Sequence, residues 1–115
     1  MKFSVENIEG IVVFTLKNQK VDSSISPELK AKLLIIAQPD IEALVIDLTL
    51  VEMIDSSGIG AFLLAERQLS DNGVPMMFVG ANNMIIDTLK LLNLDELFDF
   101  YETTDEAVKE IEANR

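Results

Sequence analysis

The sequence has no cysteine, no histidine and no tryptophan among its 115 residues. Without cysteine there is no disulfide, no thiolate zinc site and no thiol nucleophile. Without histidine there is no serine–histidine–acid triad, no imidazole-ligated metal and no general base of the commonest kind. Basic residues are few as well: 9 Lys and Arg stand against 20 Asp and Glu, for a formal charge of −11. The cations are not clustered, so neither a nucleic-acid backbone nor an anionic membrane surface is an expected partner. A protein with a basic or mixed face, drawn in by electrostatic steering, fits the balance better. Long apolar runs are missing too. Those over Leu33–Ala37 and Ala61–Ala65 are far too short to span a bilayer, and Met1–Glu6 has no apolar core of the kind a secretion signal needs. The expectation is a soluble cytoplasmic domain with no membrane insertion and no metal or cofactor, in a compartment where the lack of disulfides is at home.

Apolar residues make up 49% of the chain, and a chain of this length buries roughly two thirds of its unfolded surface without staples. One domain over residues 1–115 is expected. The hydrophobic period switches repeatedly between strand and helix. Phe3–Glu6 alternates, Glu9-Gly10 is a turn signal, and Ile11–Leu16 is apolar and β-branched, which reads as a hairpin. Ser26-Pro27-Glu28 reads as a helix start, with Ser26 as N-cap and Glu28 at the positive helix end. Leu29, Leu33, Leu34 and Ala37 continue that helix, and Pro39-Asp40 ends it. Leu44–Leu48 reads as a buried strand, Gly58–Ser70 as a helix, and Met76–Val79 as a second buried strand. Met84–Leu92 is a short helix capped by Asn82 or Asn83, and Phe98–Tyr101 a last strand. Thr103 to Glu106 has capping-box spacing at the start of a terminal helix. This alternation predicts an α/β fold, a hairpin followed by βα units that form a mostly parallel sheet.

The stretch from Val45 to Gly60 carries the most chemistry. A buried strand leads through a short connection to Asp55-Ser56-Ser57-Gly58, two hydroxyls at a helix N-terminus. The first turn of a helix offers unpaired amides and a positive dipole end. Gly58 and Gly60 would let an anion or a partner backbone approach closely. A phosphate on Ser56 or Ser57 would be tolerated there without unfolding the helix. The plain alternative is that these serines only cap the helix. No glycine-rich loop ending in Lys-Ser/Thr is present, so a Walker-type phosphate loop is excluded. Along the same helix Ala61, Phe62, Ala65 and Leu69 form the core stripe, with Ile59 at its margin. Leu63 and Leu64 fall outside it, beside Gly60 and Arg67, and read either as a docking surface or as a flank buried by neighbours. Asp22, Asp47 and Asp55 lie near strand ends, where each could orient a hydroxyl or serve as a turn or cap residue. The acidic C-terminal region is read as a solvated face.

Asp55-Ser56-Ser57-Gly58-Ile59-Gly60, preceded by Val45-Ile46-Asp47-Leu48, resembles the STAS domain family of bacterial anti-sigma-factor antagonists. The resemblance runs over nearly the whole chain. Val21-Asp22 fits the Leu-Asp that follows the second strand of the family, and Pro27-Glu28-Leu29 fits the start of the next helix. Asn18-Gln19-Lys20 departs from the Gly-Glu/Arg often found there. The resemblance implies helices packed mainly on one face of the sheet. It implies Ser56 as phosphoacceptor, with Ser57 as second choice and Asp22, Asp55, Ser57 and Gly58 as the surroundings. It implies a partner-binding surface of Asp22, Ser23, Gly60, Leu63, Leu64 and Arg67. The implied partners are an anti-sigma factor that is also a serine kinase and a PP2C-type phosphatase. The unphosphorylated chain would bind the anti-sigma factor and release sigma.

Other readings compete. A STAS module that serves as a docking subunit of a lipid-transport or signalling complex needs the fold but no modifiable serine. A phospho-aspartate receiver needs an acidic pair after the first strand and a lysine after the last, and neither is present. A two-carboxylate enzyme has nothing to hold two acids at a catalytic separation.

Overall fold

A computed structural model describes the chain from Met1 to Arg115. Strands β1 (Phe3–Ile8) and β2 (Ile11–Leu16) form the expected antiparallel hairpin. Its two-residue turn holds both Glu9 and Gly10 at positive φ, the geometry that matches the right-handed twist of a hairpin. Asn7 Oδ1 secures the turn by accepting from the Gly10 amide at 2.8 Å.

Two further strands form a ribbon of their own. β3 (Lys20–Val21) and β5 (Met53–Ile54) pair in parallel, Lys20 opposite Met53 and Val21 opposite Ile54. The main sheet continues with β4 (Ala43–Asp47), β6 (Met76–Val79) and β7 (Asp99–Tyr101). Its order is β1-β2-β4-β6-β7, with every neighbour after the hairpin parallel. The helices are α1 (Ser26–Ile36), α2 (Ser56–Ser70), α3 (Asn83–Leu91) and α4 (Thr104–Ala113).

The two-residue period of the strands sorts their side chains into two cores. Val12, Phe14, Leu16, Leu44, Ile46, Leu48, Met76 and Phe78 point to one face, where α1, α2 and α3 cover them with Leu29, Leu33, Phe62, Ala65, Leu69, Ile85 and Leu89. Ile11, Val13, Ala43, Val45, Met77 and Val79 point to the other, covered by Ala107 and Ile111 of α4. Three helices on one face and one on the other is the layering expected from the resemblance. Burial on both faces is why β2, β4 and β6 read as near-continuous apolar runs. At the centre of the larger core Phe78 packs edge-on against Phe62 at 5.2 Å and against Phe98 at 4.6 Å.

The start of α1 differs from expectation. Ser26 does not cap it: the N-cap is Ile25, with no side-chain cap. The amides of Ile25 and Ser26 instead donate to the Asp22 carbonyl at 3.1 and 2.9 Å. Ser26 sits one residue inside the helix, buried against α2, where its small side chain permits close contact. The far end of α1 is tied to α2 by Gln68, whose side-chain amide donates to the Leu34 carbonyl at 3.2 Å and to that of Ala37. At the other end of the chain, Thr103 caps α4 as expected, accepting from the Glu106 amide at 3.2 Å, and Asn82 caps α3. No helix is long and apolar enough to cross a membrane.

Candidate functional site

The β3–β5 ribbon assembles the site. Because Val21 pairs with Ile54, the residues that follow, Asp22 and Asp55, emerge side by side, and the Asp55 amide donates to the Val21 carbonyl at 3.0 Å. Two-residue strands span a single period and cannot show alternation, so the hydrophobic pattern carried no sign of this ribbon.

Each aspartate then folds back on the serine two residues later. Asp55 Oδ1 accepts from the Ser57 amide at 3.0 Å, the Ser57 hydroxyl at 2.6 Å and the Gly58 amide at 3.1 Å. Asp22 Oδ1 accepts from the Ser24 amide at 3.0 Å and the Ser24 hydroxyl at 2.5 Å. Asp47 does the same with Thr49, at 2.9 Å to the amide and 2.6 Å to the hydroxyl. All three aspartates therefore engage a hydroxyl, and by accepting the amide two residues on all three also fill the turn or cap role that was the alternative reading, Asp55 as the cap of α2. At Asp55 and Asp22 the bonds favour the ionised carboxylate. The Ser57 hydroxyl, then the Gly58 amide, holds the Asp55 carboxyl below its ordinary value. The Ser24 hydroxyl and amide do so for Asp22, with the charge of Asp55 pushing weakly the other way.

The cap of α2 is Asp55, not Ser56 or Ser57, and the helix begins at Ser56 rather than at Gly58. A carboxylate is the stronger acceptor of the two chemistries on offer, and β5 delivers Asp55 in extended backbone with its side chain over the helix end. This changes the reading of the serines. Ser57 is half-buried with its hydroxyl spent on Asp55, whereas Ser56 is exposed and its hydroxyl has no partner within the chain. It also fills the expected anion niche, because a carboxylate of the chain already occupies two first-turn amides and the positive end of the dipole.

The two glycines separate in role. Gly58 is buried and admits no ligand. A Cβ there would stand 2.7 Å from Val21 Cγ1 and 2.8 Å from Ile54 Cγ2, so its bare backbone is what lets α2 lie directly on the ribbon. A Cβ on Gly60 would meet nothing within 4 Å, so that position is open to an approaching partner.

At ~100° per residue, Ser56, Gly60, Leu63 and Arg67 fall within a stripe about 60° wide, opposite the buried stripe of Ala61, Phe62, Ala65 and Leu69. Ser56 and Arg67 are exposed, and Gly60, Leu63 and Leu64 are half-buried. The two leucines differ. Leu63 packs partly against the larger core, so it is a flank of that core as well as surface. Leu64 lines a shallow groove between α1 and α2 with Ser26, Pro27, Lys30, Ser57 and Gly60. Asp22 and Ser23 border the same end of the molecule, Ser23 exposed and Asp22 half-buried. The structure thus brings Asp22, Ser23, Asp55, Ser56 and Ser57 to one rim, with Gly60, Leu64 and Arg67 running away from it along α2. No group of three or more acidic side chains is arranged to hold a metal ion.

Comparison with solved structures gives the same architecture. An anti-sigma factor antagonist from Mycobacterium paratuberculosis is 24% identical, with a TM-score of 0.84 over 96% of this chain and 93% of that one. The phosphorylated form of the Bacillus cell fate determinant SpoIIAA is 19% identical, with a TM-score of 0.75 over 96% of this chain and 99% of that one. A sulfate transporter family protein from Wolinella succinogenes is 16% identical, with a TM-score of 0.75 over 92% and 88%. At these identities the likeness is one of fold. The sequence itself matches the STAS domain over residues 2–107, nearly its full length, and the chain belongs to the STAS domain family.

Proposed function

We propose that the chain is a regulatory binding protein switched by phosphorylation of Ser56. In its unphosphorylated form it binds an anti-sigma factor that is also a serine kinase, and sigma is released. Phosphate on Ser56 ends that binding, and a PP2C-type phosphatase restores it. The chain itself turns over no substrate. One observation supports this reading above the others: Ser56 is the exposed, unengaged hydroxyl at the head of the Gly60–Leu64–Arg67 surface, while the neighbouring Ser57 hydroxyl is committed to Asp55. The names carried by structural neighbours, an anti-sigma factor antagonist and a phosphorylated SpoIIAA, agree with it.

The physics of the switch is local. A bare hydroxyl is desolvated in an interface at modest cost. A phosphoserine brings about −1.5 to −2 charges to a rim that already holds the ionised Asp22 and Asp55. The Ser57 and Gly58 amides cannot neutralise it, because Asp55 occupies both. Burying that charge without cations from the partner costs about 3 kcal/mol or more, which weakens binding over a hundredfold.

The test is affinity for the partner kinase, measured by calorimetry without ATP on purified Ser56→Glu, Ser56→Ala and Ser57→Ala chains. Ser56→Glu is expected to bind at least tenfold more weakly than the wild type, with Ser56→Ala near wild type. Equal affinity for all three overturns the switch. It would move the assignment to a docking subunit that uses the same surface constitutively.

A further inference from the structure

The main sheet ends in β1 on one side and β7 on the other. β7 is three residues long and opens on the exposed Asp99, two devices that keep an edge from pairing. β1 is six residues long, has no proline, and keeps its register against β2 without a bulge. The Lys17 amide donates to the Lys2 carbonyl at 2.8 Å, so Lys2 and Lys17 are a hydrogen-bonded pair. By alternation Ser4, Glu6 and Ile8 also bond inward to β2. The amides and carbonyls of Phe3, Val5 and Asn7 therefore face outward along an open edge.

Exposed apolar side chains collect at the same edge. Val5 lies opposite Phe14, hence on the α1 face of the sheet, yet it is 46% exposed. α1 runs alongside β1 in the same direction: Glu28 binds the Met1 amino group at 3.3 Å, and Lys32 Nζ sits 5.4 Å from the centre of the Phe3 ring. Ile35 is nearly one turn further on and about 60° round the helix from Lys32, on the same flank, and is 68% exposed. The α1–α2 groove lined by Lys30 and Leu64 is on the opposite flank.

We infer that β1 is a self-association edge: a second copy of this chain pairs with it antiparallel about a two-fold axis, joining the two sheets into one. The formal charge of −11 opposes any contact between copies, so this one must supply its own attraction. One register does so. With Ser4 on the axis, Lys2 of each copy stands opposite Glu6 of the other, and Phe3 opposite Val5. The Phe3 and Val5 amides of each copy then donate to the Val5 and Phe3 carbonyls of the other. Sliding the second copy two residues toward Ile8 takes Lys2 away from Glu6, and sliding it four sets Glu6 against Glu6. In the favoured register Val5 is covered, and Ile35 of both copies overhangs the seam. The α1–α2 groove stays outside the contact, so the inference stands apart from the switch proposed above.

The test is sedimentation equilibrium over a wide range of concentration for wild type, Val5→Pro, Glu6→Lys and the exchanged pair Lys2→Glu/Glu6→Lys. The Val5 amide faces outward, so proline there takes no bond from the β1–β2 ladder. Wild type is expected to dimerise as concentration rises. Val5→Pro, which removes a donor from each copy, should weaken the dimer about tenfold or more. Glu6→Lys sets lysine against lysine and should weaken it about threefold or more, although it makes the chain less acidic. The exchanged pair should restore wild-type association. If Val5→Pro does not fold, the charge variants decide alone. A chain that stays monomeric at every concentration overturns the inference, as does a dimer indifferent to Val5→Pro and to Glu6→Lys. Weakening by Val5→Pro with none by Glu6→Lys overturns the register.

Discussion

Gly58 and Gly60 lie two residues apart on α2, and the same substitution should have opposite effects at them. An alanine Cβ at 58 would stand 2.7 Å from Val21 Cγ1, 2.8 Å from Ile54 Cγ2 and 3.1 Å from the Val21 carbonyl oxygen. Two of these are closer than carbon atoms approach without displacement, and both partners belong to the ribbon that positions the site. Forcing a methyl into such a contact costs about 1–3 kcal/mol. Alanine's better helix propensity returns up to about 1 kcal/mol, leaving Gly58→Ala about 1–2 kcal/mol less stable. At 60 the added methyl meets nothing within 4 Å, so only the propensity gain remains, about 0.5–1 kcal/mol. For a domain of this length about 0.24 kcal/mol corresponds to 1 °C near the midpoint. Gly58→Ala should therefore lower the Tm by about 4–8 °C, and Gly60→Ala should raise it by about 2–4 °C. Thermal unfolding followed by far-UV circular dichroism reads both. A Gly58→Ala chain as stable as wild type would refute the packing of α2 on the ribbon, and a destabilised Gly60→Ala chain would refute the openness of that position.

The pH dependence of stability has a definite sign. Asp22 and Asp55 are held below the ordinary carboxylate value of 3.8 in the folded chain. Their contribution is present above that value and is lost as pH falls through the lower folded-state values. Urea midpoints between pH 7 and pH 2 should show a steeper acid loss for wild type than for an Asp22→Asn/Asp55→Asn chain, and equal slopes would sink this reasoning. At the other end of the molecule, Arg115 pairs with Glu42 through two contacts of 2.8 Å, tying α4 to the start of β4. Arg115→Ala and Glu42→Ala should each speed amide exchange in α4, with the double variant no faster than Arg115→Ala alone, whose loss includes the contacts to Glu9 and Glu112. Additive effects would mean the two residues act apart.

The element order was legible because the strands are so apolar. Leu44–Ile46 and Met76–Val79 are buried on both faces, and runs this short and apolar, bounded by turn residues, suit a central strand of a covered sheet. What escaped was everything set by a contact distant in sequence. The ribbon joins Val21 to Ile54, and neither strand is long enough to show a period. The cap of α2 depended on it. Asp55, Ser56 and Ser57 are all competent cap residues, and the choice fell to Asp55 because pairing with β3 fixes the path by which the chain enters the helix. Ser26 misled in a similar way, since the helix starts one residue earlier than a Ser26 cap requires, and the Leu29 amide that such a cap could have served donates to the Ile25 carbonyl. The Asp-Ser-Ser-Gly stretch was visible from the start, but that Asp55 engages the Ser57 hydroxyl and leaves that of Ser56 without a partner in the chain appeared only with the hydrogen bonds.

Those hydrogen bonds also bear on how a modification at the rim could act. Asp55 caps α2, Gly58 seats the helix on the ribbon, and Gln68 ties α2 to the end of α1. The first turn of α2 is thus held by Asp55 and by the seat of Gly58, and the far end by Gln68, through contacts that do not involve the Ser56 side chain. A group added to that side chain finds no cap to displace and no buried partner to expel. It changes the charge and bulk of the rim while the helix beneath stays where it is. The switch proposed above would then act on what can sit against Ser56, Gly60 and Leu64, and the discrimination between its two states would rest with the partner's surface as much as with this chain.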